Sequence, residues 1–197
     1  MKKHIIAAAG LAIALGLAGC SSSGSDTANG SAAEVEATPT ETKATPTENI
    51  DKTWTFDYQG ATGTFKLGDE DDETVKALEQ TRASVDGKQY AFVPVSIDNT
   101  NGQTSLNMYG LTVITKDGQQ LDTVSLIDVF SEWRNAAGDD TDKYNAIVDA
   151  ENKYDGFDLQ PGAKGTAIVT FAEPVTSAWR ISVMPAGGFD QVEATAS

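Results

Sequence analysis

The chain has 197 residues, of which 29 are acidic, 14 are basic and 40% are hydrophobic. That apolar content suffices for one folded domain of ordinary size. The single histidine, His4, and the single cysteine, Cys20, both lie near the amino terminus. The rest of the chain therefore lacks the residue types for Ser-His-Asp or Cys-His nucleophiles, disulfides, haem ligation and zinc sites built on thiolate or imidazole. A net charge of −15 argues against nucleic acid as a partner.

The amino-terminal segment has the features of a signal peptide. Two lysines precede residues 5–17, which contain only alanine, isoleucine, leucine and glycine. As a helix this run would be roughly 20 Å long, short of the ~30 Å of a bilayer core, which predicts a cleaved segment rather than a permanent span. It ends in Leu17-Ala18-Gly19-Cys20, which resembles the lipobox of bacterial lipoproteins. The resemblance implies removal of residues 1–19, lipidation of Cys20 and anchoring at the extracytoplasmic face of the cell membrane.

Residues 20–50 are expected to join this anchor to the folded domain. After Cys20 the segment is rich in serine, threonine, alanine and glutamate, and it contains no aromatic residue. Such a composition cannot bury enough apolar surface to fold. It predicts a disordered Ser/Thr/Pro/Glu linker that would span about 30 Å as a flexible coil.

Alternating apolar and polar residues predict strands within residues 51–186, the expected domain. The Asp117-Gly118 pair is a hairpin signal. Pro94 lacks an N–H and predicts an edge or a bulge at that point of its strand. We expect about seven antiparallel strands in an all-β, immunoglobulin-like sandwich, followed by a flexible tail at residues 187–197. The clearest strand patterns are residues 54–58, 64–67, 89–98, 111–115, 166–171 and 178–184.

Two segments do not follow the strand pattern. Residues 73–83 fit a helix, with acids first and a base last, but they also fit a strand. Residues 122–156 carry Leu126, Phe130 and Trp133 at three- and four-residue spacing. Short helices or an ordered loop inserted between strands are expected there.

Residues 90–184 resemble the telokin-like, immunoglobulin-fold domain common in lipoproteins of Gram-positive bacteria, which is similar to a secreted mycobacterial immunogenic antigen. The resemblance rests on three motifs: a strand ending in Asn99-Thr100, a strand running into Asp117-Gly118, and the Pro161-Gly162 turn before a strand that ends at Phe171. Residues 131–156 depart from the family by being longer and more acidic. The resemblance implies a fold and a surface location, and it transfers no catalytic residue.

Two acidic clusters are candidate calcium sites, because carboxylates are the hard oxygen ligands that calcium prefers. One is the run of residues 69–73, with Asp69 and Asp71, and the other contains Asp139, Asp140 and Asp142. Neither has the spacing of an EF-hand loop. The alternative is a solvated, self-repelling loop, so any calcium binding would be weak.

Trp133, Tyr144 and Tyr154 are the candidate ligand or partner surface. They share a segment with asparagine and aspartate side chains, the mixture of flat apolar faces and planar polar groups that sugar recognition uses. The alternative is that these aromatics anchor the segment to the domain, since each buries a large apolar area. Replacing Trp133 should separate the two.

The sequence therefore favours a membrane-anchored lipoprotein that displays a non-catalytic binding module in the cell envelope. The sequence does not identify the partner, which would be an envelope protein or a glycan. The alternative function is a lipoprotein that binds wall glycan or calcium. An enzyme is disfavoured because acid-base catalysis most often recruits histidine, and no SxxK motif occurs in the mature domain.

Overall fold

The computed structural model describes residues 50–187 and 190–197. These residues contain eight strands and three helices. The predicted signal peptide, Cys20 and all of the predicted linker except Ile50 lie outside them. The strands are β1 (Trp54–Tyr58), β2 (Ala61–Phe65), β3 (Ala91–Asp98), β4 (Gly110–Ile114), β5 (Gln120–Asp122), β6 (Lys164–Phe171), β7 (Arg180–Met184) and β8 (Val192–Ala196). The helices are α1 (Glu73–Ser84), α2 (Leu126–Ala137) and α3 (Thr141–Tyr154).

All eight strands belong to one antiparallel sheet in the order β5-β4-β7-β8-β1-β2-β3-β6. The two outermost strands approach each other, because Val124 just after β5 bridges to Thr170 of β6. The sheet is therefore nearly closed around its apolar face, in an all-β, sandwich-like arrangement. It has one strand more than the sequence predicts.

The additional strand is β8, and it corrects the prediction of a flexible tail at residues 187–197. β8 pairs at three positions with β7 and at two with β1, so it joins the two parts of the sheet. Ala194 is buried in the sheet core. The sequence of β8 has only small apolar residues besides Val192, and a strand held on both sides by neighbours needs no stronger local signal.

Pro94 lies inside β3, which has β2 on one side and β6 on the other. β3 is therefore not an edge strand over its whole length, but the predicted edge is present locally at Pro94. β2 ends with Phe65 opposite Val95, one residue beyond Pro94. Because β2 does not continue opposite Pro94, the proline breaks no ladder hydrogen bond.

The two irregular segments are helical. In α1, Asp72 caps the first turn, and Val75 and Leu78 face inward. Of the two alternatives, helix and strand, the helix is therefore correct. In α2, the buried residues recur at three- and four-residue spacing as expected. Within the described residues, no helix is long and apolar enough to cross a membrane.

The apolar interior consists of two clusters that meet at β3 and β6. Val93 and Val169 point into the cluster enclosed by the sheet. Phe92 and Ile168, one residue away on the same strands, contact the cluster formed by the helices. Because side chains alternate along a strand, β3 and β6 carry both layers.

An ion pair joins the ends of these two strands. Asp98 Oδ2 lies 2.6 Å from Lys164 Nζ, and Asp98 also accepts a hydrogen bond from the backbone N–H of Thr100 at 3.0 Å. These contacts, Lys164 first, lower the pKa of Asp98 from 3.8 to about 2. The carboxylate is thus held in its charged form.

Deleting residues 192–197 should reduce the free energy of unfolding by about 3–5 kcal/mol, since five ladder positions are lost and the two parts of the sheet separate. Urea unfolding followed by circular dichroism measures this loss. Glu193→Gln on the exposed face of β8 is the matched control and should behave like the wild type. A truncated protein of unchanged stability would mean that β8 is a dispensable tail.

The Asp98–Lys164 pair predicts a pH dependence of stability. Because the pKa of Asp98 is lowered in the folded state, its contribution is present above about pH 4 and is lost as the pH falls toward 2. The difference in unfolding midpoint between the wild type and Asp98→Asn should therefore shrink over that interval. Lys164→Gln should show the same trend. A difference that stays constant from pH 5 to pH 2 would contradict the assignment.

Candidate functional site

The first acidic cluster serves the start of α1. Asp72 accepts hydrogen bonds from the backbone N–H groups of Thr74 at 2.7 Å and Val75 at 3.2 Å. Asp71, one of the two predicted ligands, lies 3.5 Å from Lys76 Nζ. Acids before a helix satisfy unpaired N–H groups and interact favourably with the helix dipole. Capping therefore accounts for Asp72, and ion pairing accounts for Asp71.

The second acidic cluster serves the start of α3 in the same way. Asp140 accepts a hydrogen bond from the backbone N–H of Lys143 at 3.1 Å, and Asp139 and Asp142 are exposed beside it. Within the described residues, no three acidic, histidine or cysteine side chains are grouped so that they could hold a metal ion. The predicted calcium ligands Asp69, Asp71, Asp139, Asp140 and Asp142 are thus not assembled into a site.

Trp133 is fully buried, which corrects its assignment to a ligand surface. Its Nε1 donates a hydrogen bond to the backbone oxygen of Lys88 at 3.0 Å. Its ring meets Phe92 and Phe130 edge-on, with ring centroids 5.8 and 5.6 Å apart. Trp133 therefore anchors α2 to the sheet, as in the alternative interpretation of the sequence.

The two tyrosines of the predicted surface lie at opposite ends of α3. Tyr144, in the first turn, is 44% exposed. Tyr154 is the last residue of the helix and is half-buried against the helical cluster. A helix rises 1.5 Å per residue, so they are separated by about 15 Å and do not share a site. Only Tyr154 lines a groove of appreciable size.

That groove, here called the seam groove, has a volume of about 500 Å³ and lies where the sheet fails to close. One wall is formed by residues 107–109, which precede β4, and the other by residues 167–169 of β6. Residues 123–126 and 154–157 border the remaining sides. Its volume lies within the roughly 300–1,000 Å³ typical of ligand sites.

Tyr109 also lines the seam groove, although no sequence pattern marks it as a site residue. Its side chain is 68% exposed, the largest value among the large hydrophobic residues described. The preceding residue, Met108, has a φ of 46° and points into the sheet core. That left-handed conformation turns Met108 inward and Tyr109 outward, and no local pattern of residues predicts it.

A larger groove of about 730 Å³ lies beside the β4–β5 hairpin and residues 171–177. Nine of its thirteen lining residues are polar or charged, with Asp117, Asp122 and Glu173 among them. The seam groove is the stronger candidate because it combines an exposed aromatic side chain with a residue of the predicted partner surface, Tyr154.

Outside the groove, Tyr90 connects the sheet to α2. Its hydroxyl donates a hydrogen bond to the carboxylate of Glu132. Burial, followed by this hydrogen bond, raises the pKa of Tyr90 to about 12. The phenol therefore stays neutral throughout the physiological range and has a structural role.

No protein-family model matches this chain, and neither the curated proteins nor the solved structures searched contain a similar one. The assignment of a function therefore rests on the residues and their geometry.

Trp133→Ala should lower the free energy of unfolding by about 3–5 kcal/mol, because it leaves a cavity between α2 and the sheet. Tyr144→Ala, at an exposed aromatic of the neighbouring helix, is the matched control and should change it by no more than about 0.5 kcal/mol. Urea denaturation measures both. If Trp133→Ala were as stable as the wild type, Trp133 would not be an anchor.

Proposed function

We propose that this protein is a membrane-anchored, extracytoplasmic lipoprotein whose folded domain is a non-catalytic binding module of the cell envelope. The anchor is the lipid on Cys20, as the resemblance of residues 17–20 to a lipobox implies. Several acyl chains at one cysteine give stable attachment, whereas one chain binds only marginally. The acidic linker that follows would hold the domain away from the membrane surface.

We further propose that the domain belongs to the telokin-like, immunoglobulin-fold group that the sequence resembles. Its antiparallel strands in a sandwich-like sheet are compatible with that fold. The Asn99 turn of the resemblance has a clear structural use, since the buried Asn99 side chain donates to the backbone oxygens of Thr104 and Leu159, each at 3.0 Å.

The observation that carries the binding function is the seam groove. Exposed aromatic side chains beside a concave surface are typical of recognition sites rather than of folding requirements. A catalytic role is less favoured, because Asp155 is the only carboxylate among the described residues of the lining and glycoside hydrolysis needs two. The partner would be an envelope protein.

A wall glycan is the second candidate partner. Tyr109 and Tyr154 provide two aromatic faces in the same groove as the side-chain amide of Asn107 and the carboxylate of Asp155. Such faces and planar polar groups suit sugar rings. The experiment below distinguishes the two kinds of partner.

Site-specific photo-cross-linking in intact cells tests the proposal. A photoreactive residue in place of Tyr109 should form a covalent adduct with an envelope component, while the same residue in place of Tyr144 should not. Protease sensitivity of the adduct would identify a protein, and sensitivity to wall-degrading enzymes would identify a glycan. Equal labelling from both positions would contradict a function of the seam groove.

The anchor is tested in the same cells. Cys20→Ser should abolish incorporation of labelled palmitate and shift the protein from the membrane to the soluble fraction, because no thiol is left to acylate. Cys20→Ser that remains acylated would overturn the lipoprotein assignment while leaving the groove result intact.

A further inference from the structure

The seam groove exists because the chain leaves the sheet after β5. The backbone N–H of Val124 donates to the backbone oxygen of Thr170 at 2.7 Å. Ser125 is then the N-cap of α2, so the segment that could have continued along β6 becomes a helix instead. Beyond this point, the described part of the chain gives β6 a strand partner on one side only, which is β3.

The hydrogen bond from Val124 to Thr170 shows which N–H and C=O groups of β6 point away from β3. Along a regular antiparallel strand, the N–H and C=O of a residue point to the same side, and the side alternates from residue to residue. Thr170 points away from β3 toward Val124. The register of β3 with β6 is unbroken, so Ile168 and Thr166 point away from β3 as well.

These groups have no partner within residues 50–187 and 190–197. In that part of the chain, neither the N–H nor the C=O of Ile168 or Thr166 makes a hydrogen bond to backbone or side chain. Ile168 lines the seam groove, and Thr166 lines a depression that adjoins it behind residues 153–157. A strand edge with unpaired groups is a template for another extended chain.

The groove is bounded at both ends. Val124 is bonded to β6 at one end. At the other end Leu106 and Leu159 are bonded to each other through both backbone N–H groups, at 3.0 and 2.8 Å. Between these points, residues 107–109 form the opposite wall, and the N–H groups of that wall are bonded to β7 and Pro185 on its far side. The opening thus suits a short extended segment.

We propose that the seam groove binds a short extended peptide, which pairs through its backbone with the open edge of β6 at Ile168. Tyr109 packs against the side chains of this peptide at the rim. This inference rests on the proposed function and names the class of partner. Backbone pairing accounts for affinity, and the adjoining side chains account for selectivity.

The charge of the site specifies the peptide further. Among the described residues, Asp155 is the only charged side chain in the groove lining, and the whole protein carries 29 acidic against 14 basic residues. Long-range attraction therefore favours a peptide with lysine or arginine over an acidic one. Affinity for such a peptide decreases as the salt concentration rises.

The test uses a phage-displayed library of random peptides about nine residues long, the length of an ordinary strand, selected on the full chain in detergent. Enriched peptides should be extended and basic, and deuterium exchange of the Ile168 amide should slow when one binds. A synthetic copy N-methylated at alternate amides keeps its side chains but loses its donors. It should bind at least about tenfold more weakly.

One substitution in the open edge and one outside the groove provide the matched pair. Ile168→Pro removes the outward N–H and should weaken binding at least about tenfold, whereas Tyr144→Ala, at an exposed position of α3, should keep the affinity. If Ile168→Pro does not fold, the N-methylated peptide and the exchange of the Ile168 amide in the wild type still test whether the peptide pairs with β6 through its backbone. No enrichment over an empty support, or unchanged affinity after N-methylation, would overturn the proposal.

The outcome is separable from that of the proposed function. A glycan adduct at Tyr109 without any peptide binding would support the groove as a binding site but would rule out a peptide as its ligand. The absence of both would reject the site itself.

Discussion

The departure of the chain from the sheet after Val124 is the constraint on which the rest of the structure depends. A continuing strand would have closed the sheet against β6 and used its outward N–H and C=O groups. Ser125 instead starts α2, and the residues that follow build a second apolar cluster on the outer face of β3 and β6. The helical layer and the open strand edge are thus two consequences of one turn.

The helical layer is held to the sheet by side chains that alternate with those of the sheet core. Phe92 and Ile168 project outward from the two strands that carry the most extensive pairing in the sheet. Trp133 then locks α2 against Phe92 and the backbone of Lys88. Since these contacts use the same two strands as the sheet core, loosening α2 would also disturb the wall of the seam groove.

The sequence predicts the elements that have a strong local pattern and misses those that depend on distant pairing. The alternation around Trp54 and Phe56 and the spacing of Leu126, Phe130 and Trp133 are local, and these elements are present. β8 has almost no apolar signal of its own, because its position between β7 and β1 supplies the hydrogen bonds. The end of β2 opposite Pro94 also depends on distant pairing, although the proline itself predicts the local edge.

The residues of the candidate site likewise divide into those that a local sequence pattern predicts and those that depend on distant pairing. Asp72 and Asp140 stand directly before helices, and their position relative to the helical pattern could have identified them as caps rather than ligands. Trp133 lies at a helical spacing that implies burial. The exposure of Tyr109, by contrast, follows from the left-handed backbone of Met108, and the groove follows from the pairing of Val124 with Thr170. Neither has a signature in the sequence.

An open strand edge is normally a risk for aggregation, and the structure limits that risk while keeping the edge accessible. The bonded pairs at Val124 and at Leu106 restrict the open stretch to a few residues, too short for another sheet to dock along its whole length. The net charge of −15 adds repulsion between copies. What these features still admit is a short, basic, extended peptide, so the arrangement that protects the edge also selects its partner.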